Sequence, residues 1–117
     1  MIEVNHPLLT KFYTKMIHED NPKFGAPHHF IVRRVEDDRV VGKVDFQEGP
    51  VKECGVNGIG NEDVLGMILL RLEGFQQTEF ACEENAKAIE HIKNALKILR
   101  ERTNKRRARN VEGTSNV

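Results

Sequence analysis

Several features that would point directly to a function are scarce or missing in this chain. Only two cysteines, Cys54 and Cys82, occur in 117 residues. They form neither a disulfide framework nor a zinc pattern, and both read as small buried apolar groups. Charge of neither sign prevails, because 18 basic and 18 acidic residues cancel. The molecule as a whole therefore does not advertise a nucleic-acid or membrane-surface binder, and any attraction for anions must be local. The longest apolar run, Val64 to Leu72, is interrupted by Gly66 and Arg71 and is too short to span a bilayer. The N-terminus lacks a signal-peptide pattern, so a cytoplasmic protein is expected. No internal repeat is visible. The five histidines, His6, His18, His28, His29 and His91, are scattered, and none sits at a recognised metal-ligand spacing with a second ligand on the same helix face. No nucleophile, base and orienting residue can be nominated together. The chain is accordingly read as a non-enzyme without metal or cofactor.

What the chain does have is a long helical run from Thr78 to about Arg107. Ile89, Ile92, Leu96 and Leu99 recur on one helical face and make a core stripe. Extended in both directions, that stripe meets Asn85 at one end and Arg102, Thr103 and Arg106 at the other. Polar groups facing inward need partners, because burial without them is costly; these read as sites for an anion. Glu79, Glu83 and Glu84 crowd the start of the run. Arg100, Arg102, Lys105, Arg106, Arg107 and Arg109 crowd its end. Both groups complement the helix macrodipole, so most of these charges are ordinary dressing of a solvated face.

Taken in order, Leu8, Leu9, Phe12, Tyr13 and Met16 fall at helical spacing behind Pro7, which predicts a short amphipathic helix within residues 1–20. The segment DNPKFGAP is turn-forming. His29 to Val35 and Val40 to Phe46 read as a hairpin, with Gly42, Val44 and Phe46 on one face and Lys43 and Asp45 on the other. Val51 to Val56 is expected to return as a third strand after Gly49 and Pro50. A second helix over Glu62 to about Phe75 follows, with Asn61 as its N-cap and Leu65, Ile68, Leu69 and Leu72 as its stripe. A short connection makes it antiparallel to the long helix. The expectation is a single α+β domain over 1–117: an N-terminal helix (1–20), a three-stranded antiparallel meander (28–57), a helical hairpin (61–109) and a polar tail (110–117).

Candidate sites have plainer alternatives. The glycine-rich loop Gly55 to Asn61 could bring backbone N–H groups to a phosphate, but it matches no nucleotide-binding fingerprint and reads first as a tight turn into a helix. Phe75 reads first as a staple of the helical hairpin, and alternatively as a face on which a base stacks. The basic stretch NKRRARN could contact nucleic acid, although no aromatic residues interleave with it.

Three segments carry a resemblance: VGKVDFQEGPVKECGVNGIGNEDVL, LEGFQQTEFACEENAKAI and LRERTNKRRARNVEGT. Together, over roughly residues 28 to 114, the chain resembles phage anti-defence proteins of the first Thoeris-inhibitor type. Their helical hairpin is similar to that of phage proteins that sequester signals of the CBASS system. The resemblance implies a non-catalytic sponge, acting in the cytoplasm of an infected bacterial host, that binds glycocyclic ADP-ribose and holds it without degrading it. It also implies a homo-oligomer built from dimers, up to a hexamer, with the messenger held where hairpins and sheet loops of neighbouring subunits meet. Some members take up cyclic di- or trinucleotides at separate sites.

On matching positions, the resemblance gives Phe75 the role of stacking on adenine and Asn85 that of a hydrogen-bonding partner. Arg102 and Arg106 would contact the pyrophosphate, with Arg109 in the same basic end. The loop residues Val56, Asn57 and Gly58 would contribute backbone groups. Asn110 stands where the family's closing motif would carry glycine, and asparagine tolerates the left-handed conformation that such a turn needs. The alternatives are a basic-tailed nucleic-acid-binding phage protein and a structural or host-protein-binding phage factor.

Overall fold

The structure, a computed structural model, describes residues 1–117. It is α+β, and it resolves into two compact units, residues 1–59 and 60–117.

The first unit is a four-stranded antiparallel meander of β1 (Ile2–Glu3), β2 (Thr14–His18), β3 (His29–Arg34) and β4 (Val40–Asp45), paired in chain order. The expected N-terminal helix is absent. Pro7 sits instead in a tight turn in which the Leu9 N–H reaches the His6 carbonyl at 3.0 Å, a position that the fixed φ of proline also suits. Leu8 and Phe12, assigned to a buried helical face, are 85% and 78% exposed. Met16 and Ile17 pair with Val32 and Ile31 of β3. A segment of about eleven residues gains little from an isolated helix, whereas a strand satisfies its backbone groups against a neighbour.

The β3–β4 hairpin forms as expected, and its alternation is visible in the burial: Gly42, Val44 and Phe46 are half-buried while Lys43 and Asp45 are exposed. The Phe30 and Phe46 rings meet edge to face at 5.7 Å, and His28 is buried with Nε2 2.6 Å from the Lys23 carbonyl.

The expected third strand at Val51 to Val56 is instead a single helical turn, α1 (Val51–Cys54), so the strand count is made up by β1 and β2. Pro50 precedes the turn and its carbonyl accepts from the Cys54 N–H at 2.7 Å, while Gly55 at φ 72° ends it. A proline at the start and a left-handed glycine at the end are helix punctuation, and they override the strand-like composition between them. Cys54 and Cys82 are both exposed rather than buried.

The second unit is an antiparallel helical hairpin of α2 (Asn61–Phe75) and α3 (Glu83–Ala108). Asn61 is the first helical residue rather than the cap. Gly60 takes that place, and its N–H donates to the Asp63 carboxylate at 2.8 Å. The long helix starts at Glu83 and not at Thr78, because residues 76–82 form the connection. There the Gln76 side-chain amide donates to the Cys82 carbonyl at 3.1 Å and accepts from its N–H at 3.0 Å. Ile89 is the buried centre of the stripe. On α2, Leu65, Leu69 and Leu72 are half-buried, but Ile68 lies with Met67 and Leu70 among the exposed residues.

After α3 the chain turns at Asn110, whose φ of 59° is the left-handed conformation anticipated for it. Val111 N–H bonds to the Arg106 carbonyl at 3.0 Å and Asn110 N–H to that of Arg107 at 3.1 Å, the paired bonds of a Schellman ending. No helix is long and apolar enough to cross a membrane.

Candidate functional site

The last turns of α3 concentrate six cations and one acid between Arg100 and Arg109. A shallow groove of about 360 Å³ lies among them, lined by Ile98, Glu101, Arg102, Lys105, Arg106 and Arg109. The structure therefore brings Arg102, Arg106 and Arg109 together, and it adds Lys105. Their states differ. Arg102 is exposed and its guanidinium makes no bond within the chain. Arg106 is half-buried and in line with the stripe, as its spacing suggests, but Nη2 donates to the carbonyls of Val111 (3.0 Å), Thr114 (3.1 Å) and Asn116 (2.9 Å). It secures the tail and offers only the rest of its fork to the groove. Arg109 donates to the Val117 carbonyl at 2.7 Å. Of the polar residues that continue the stripe, Thr103 and Arg106 are half-buried and Arg102 is not.

Phe75 and Asn85 sit at the turn of the hairpin, away from this groove. Phe75 ends α2, meets Phe80 edge to face at 6.5 Å, and carries the Arg71 guanidinium 5.0 Å from its ring centre. Arg71 was missed in the sequence, although its spacing of four from Phe75 places the two on one helical face. Asn85 is half-buried on the first turn of α3, with no hydrogen bond from its side chain. At 1.5 Å per residue, Asn85 and Arg102 lie about 26 Å apart along α3. One small cyclic nucleotide cannot touch both on a single chain.

Of the loop residues, two are committed to the loop itself. Asn57 accepts from the Glu48 N–H and donates to the Glu48 carbonyl, each at 2.7 Å, and its own N–H reaches Gln47 Oε1 at 3.0 Å. Gly58 passes so close to β4 that a Cβ would stand 2.7 Å from Gln47 N and nearer still to the Phe46 carbonyl. The tight-turn reading therefore accounts for both. Val56, 80% exposed, is the side chain this loop presents outward.

A second charged cluster lies in the sheet unit. Asp45 bonds the His29 ring at Nδ1 (2.9 Å) and Glu48 at Nε2 (3.1 Å). Asp45 first, and Glu48 after it, hold the imidazole pKa above its ordinary value despite partial burial. At Glu19 partial burial pushes the carboxyl pKa up, but backbone N–H groups of His28 and His29 outweigh it and leave the value lowered. Sequence distance hides this cluster, which forms because the sheet register sets His29 opposite Asp45.

Fold and groove define a small α+β protein whose helical hairpin ends in an open cationic surface. The family described as "Acb2/Tad1, hairpin domain" matches residues 38–103. The chain is also 41% identical over 139 residues to "Thoeris anti-defense 1" of Bacillus phage SBSphiJ7, covering 97% of this chain and 98% of that protein. The chain belongs to the phage Thoeris anti-defence family that shares the Acb2/Tad1 hairpin, and it is a phage anti-defence protein.

Proposed function

We propose that the chain captures glycocyclic ADP-ribose and holds it uncleaved, in sites completed by two copies of the chain. The observation that carries this reading is the separation of binding groups along α3. Phe75, Arg71 and Asn85 occupy one end, and Arg102, Lys105 and Arg106 the other, about 26 Å or more away. Two hairpins packed antiparallel about a two-fold axis bring the aromatic end of one to the basic end of the other, and symmetry then gives two equal sites. Adenine stacks on Phe75 with Asn85 at its edge. The pyrophosphate meets Arg102 and the free edge of Arg106, since planar guanidinium forks match phosphate oxygens.

Exposure supports a partner copy. The chain exposes 8925 Å², whereas even two separate globules of half its mass would together expose about 7,800 Å² on the size scaling of folded monomers. Met67 and Leu70, 61% and 73% exposed on α2, are the kind of apolar surface that a second hairpin covers. Retention without cleavage fits the groove's chemistry, since its lining contains one carboxylate, Glu101, and no imidazole or thiol. The basic end keeps nucleic acid as a second reading.

Calorimetric titration with glycocyclic ADP-ribose, then heat release and chromatography of the ligand, tests the proposal, with light scattering for the oligomer. One messenger per chain, recovered intact from a dimer or a multiple of it, is the expected result. Recovery of a hydrolysed product, or a monomer that binds at full affinity, overturns it. Binding of duplex DNA with a steep salt slope and no response to the messenger establishes the nucleic-acid reading instead.

A further inference from the structure

We propose that Glu19, His29 and Glu48 form a binding site for a divalent first-row transition ion, with zinc as the reference ion. The three residues come from the end of β2, the start of β3 and the loop after β4. Each offers one ligand atom, and these atoms lie within 4.8 Å of one another. Around a tetrahedral ion with bonds of 2.0–2.2 Å, ligand atoms are about 3.3–3.6 Å apart. A separation of up to 4.8 Å thus closes by up to about 1.4 Å, which rotation of the two flexible glutamate side chains supplies.

The donor set is one imidazole nitrogen and two carboxylates, with a fourth position left for water, a set that suits zinc and its neighbours. Asp45 supplies what a ligating histidine usually has behind it. With the Nδ1–H donated to Asp45 at 2.9 Å, the ring is fixed in the tautomer whose Nε2 lone pair faces Glu48 and Glu19. The supports are also in place. Asn57 pins the Glu48 backbone from both sides. The N–H groups of His28 and His29 orient the Glu19 carboxylate at 3.0–3.3 Å.

Charge gives an independent reason. Three carboxylates, Glu19, Asp45 and Glu48, converge on one ring, and Glu19 and Glu48 are partly buried. The chain has 18 lysines and arginines, yet the ion pairs of these three carboxylates are all with histidine: His29 for Asp45 and Glu48, and His18 at 3.9 Å for Glu19. A protonated His29 offsets one negative charge of the three, whereas a dication that displaces the Nε2 proton offsets two. His29 is half exposed, which gives the ion an entry path.

The test uses the full-length chain freed of metal with a chelator. Zinc titration by calorimetry should show one ion per sheet unit. Glu48→Gln should weaken binding by about 100-fold or more, Asp45→Asn by about 10–100-fold, and His91→Gln, on α3, not at all. Manganese added to the unaltered, isotope-labelled protein should first broaden the amide signals of Glu19, His29 and Glu48, a readout that needs no variant to fold. Broadening centred elsewhere, or zinc affinity equal in wild type and folded Glu48→Gln, overturns the site.

Discussion

The two units handle charge in opposite ways. In the sheet unit several cations are matched locally: the N-terminus to Asp20, Lys11 to Glu3, Lys15 to Asp38, and Arg34 to Glu36 and Asp37. In the hairpin unit the ion pairs are Lys87 to Glu83 and Lys93 to Glu73, and the cations from Arg100 to Arg107 have no acid paired with them. Mutual repulsion there is tolerated because the carbonyl end of α3 favours positive charge. A structure that spreads its ion pairs over one half and crowds five unpaired cations onto one helix end in the other shows where a charged ligand gains most. On the proposed function, the hairpin is the half that captures.

That division can be broken from either side. The largest effect is expected from Arg102→Ala, which should weaken messenger capture by roughly 2–5 kcal/mol once the contact is desolvated, with the melting temperature unmoved because Arg102 bonds nothing in the chain. Full affinity in titration would remove Arg102 from the site. Gly58→Ala strikes the other half. With a Cβ forced against the Phe46 backbone, a loss of about 2–3 kcal/mol in stability is expected, read by denaturant unfolding; an unchanged midpoint would show that the loop is slack.

Phe75→Ala should cost capture about 1–3 kcal/mol through lost stacking, with circular dichroism confirming the helices; an equal loss of helix content would return Phe75 to a purely structural role. The smallest effect belongs to the sheet's own pairing. Lys15 holds the Asp38 carboxyl pKa below its ordinary value. The stability this gives is present above the unfolded aspartate value of about 3.9 and lost as pH falls through the lower folded value. Lys15→Met should therefore lower the melting temperature slightly at pH 6 and leave it unchanged near pH 2; a difference that persists in acid would assign the effect to packing.

The hairpin was legible because its signal is long. Fifteen residues in α2 and twenty-six in α3 repeat the helical period often enough to outweigh local noise, and Asn85 and Arg106 were found as polar interruptions of that period. The sheet unit was legible only where two strands adjoin in sequence. Thr14 to His18 carried a helix-like spacing and was overruled by pairing with β3, a partner more than ten residues away. Val51 to Cys54 looked like a strand until Pro50 and Gly55 are taken as its boundaries. The role of Arg106 in holding the tail was invisible for a related reason: its partners are main-chain carbonyls, which every residue has and no side-chain pattern marks.

That clasp makes the tail a gauge. Because one guanidinium both borders the groove and gathers the carbonyls of residues 111, 114 and 116, any ligand that draws the fork outward must loosen the last turn of the chain. A fluorophore attached near the C-terminus would then report occupancy of a site that it does not touch, and a bulky C-terminal fusion would act on the same clasp from the other side.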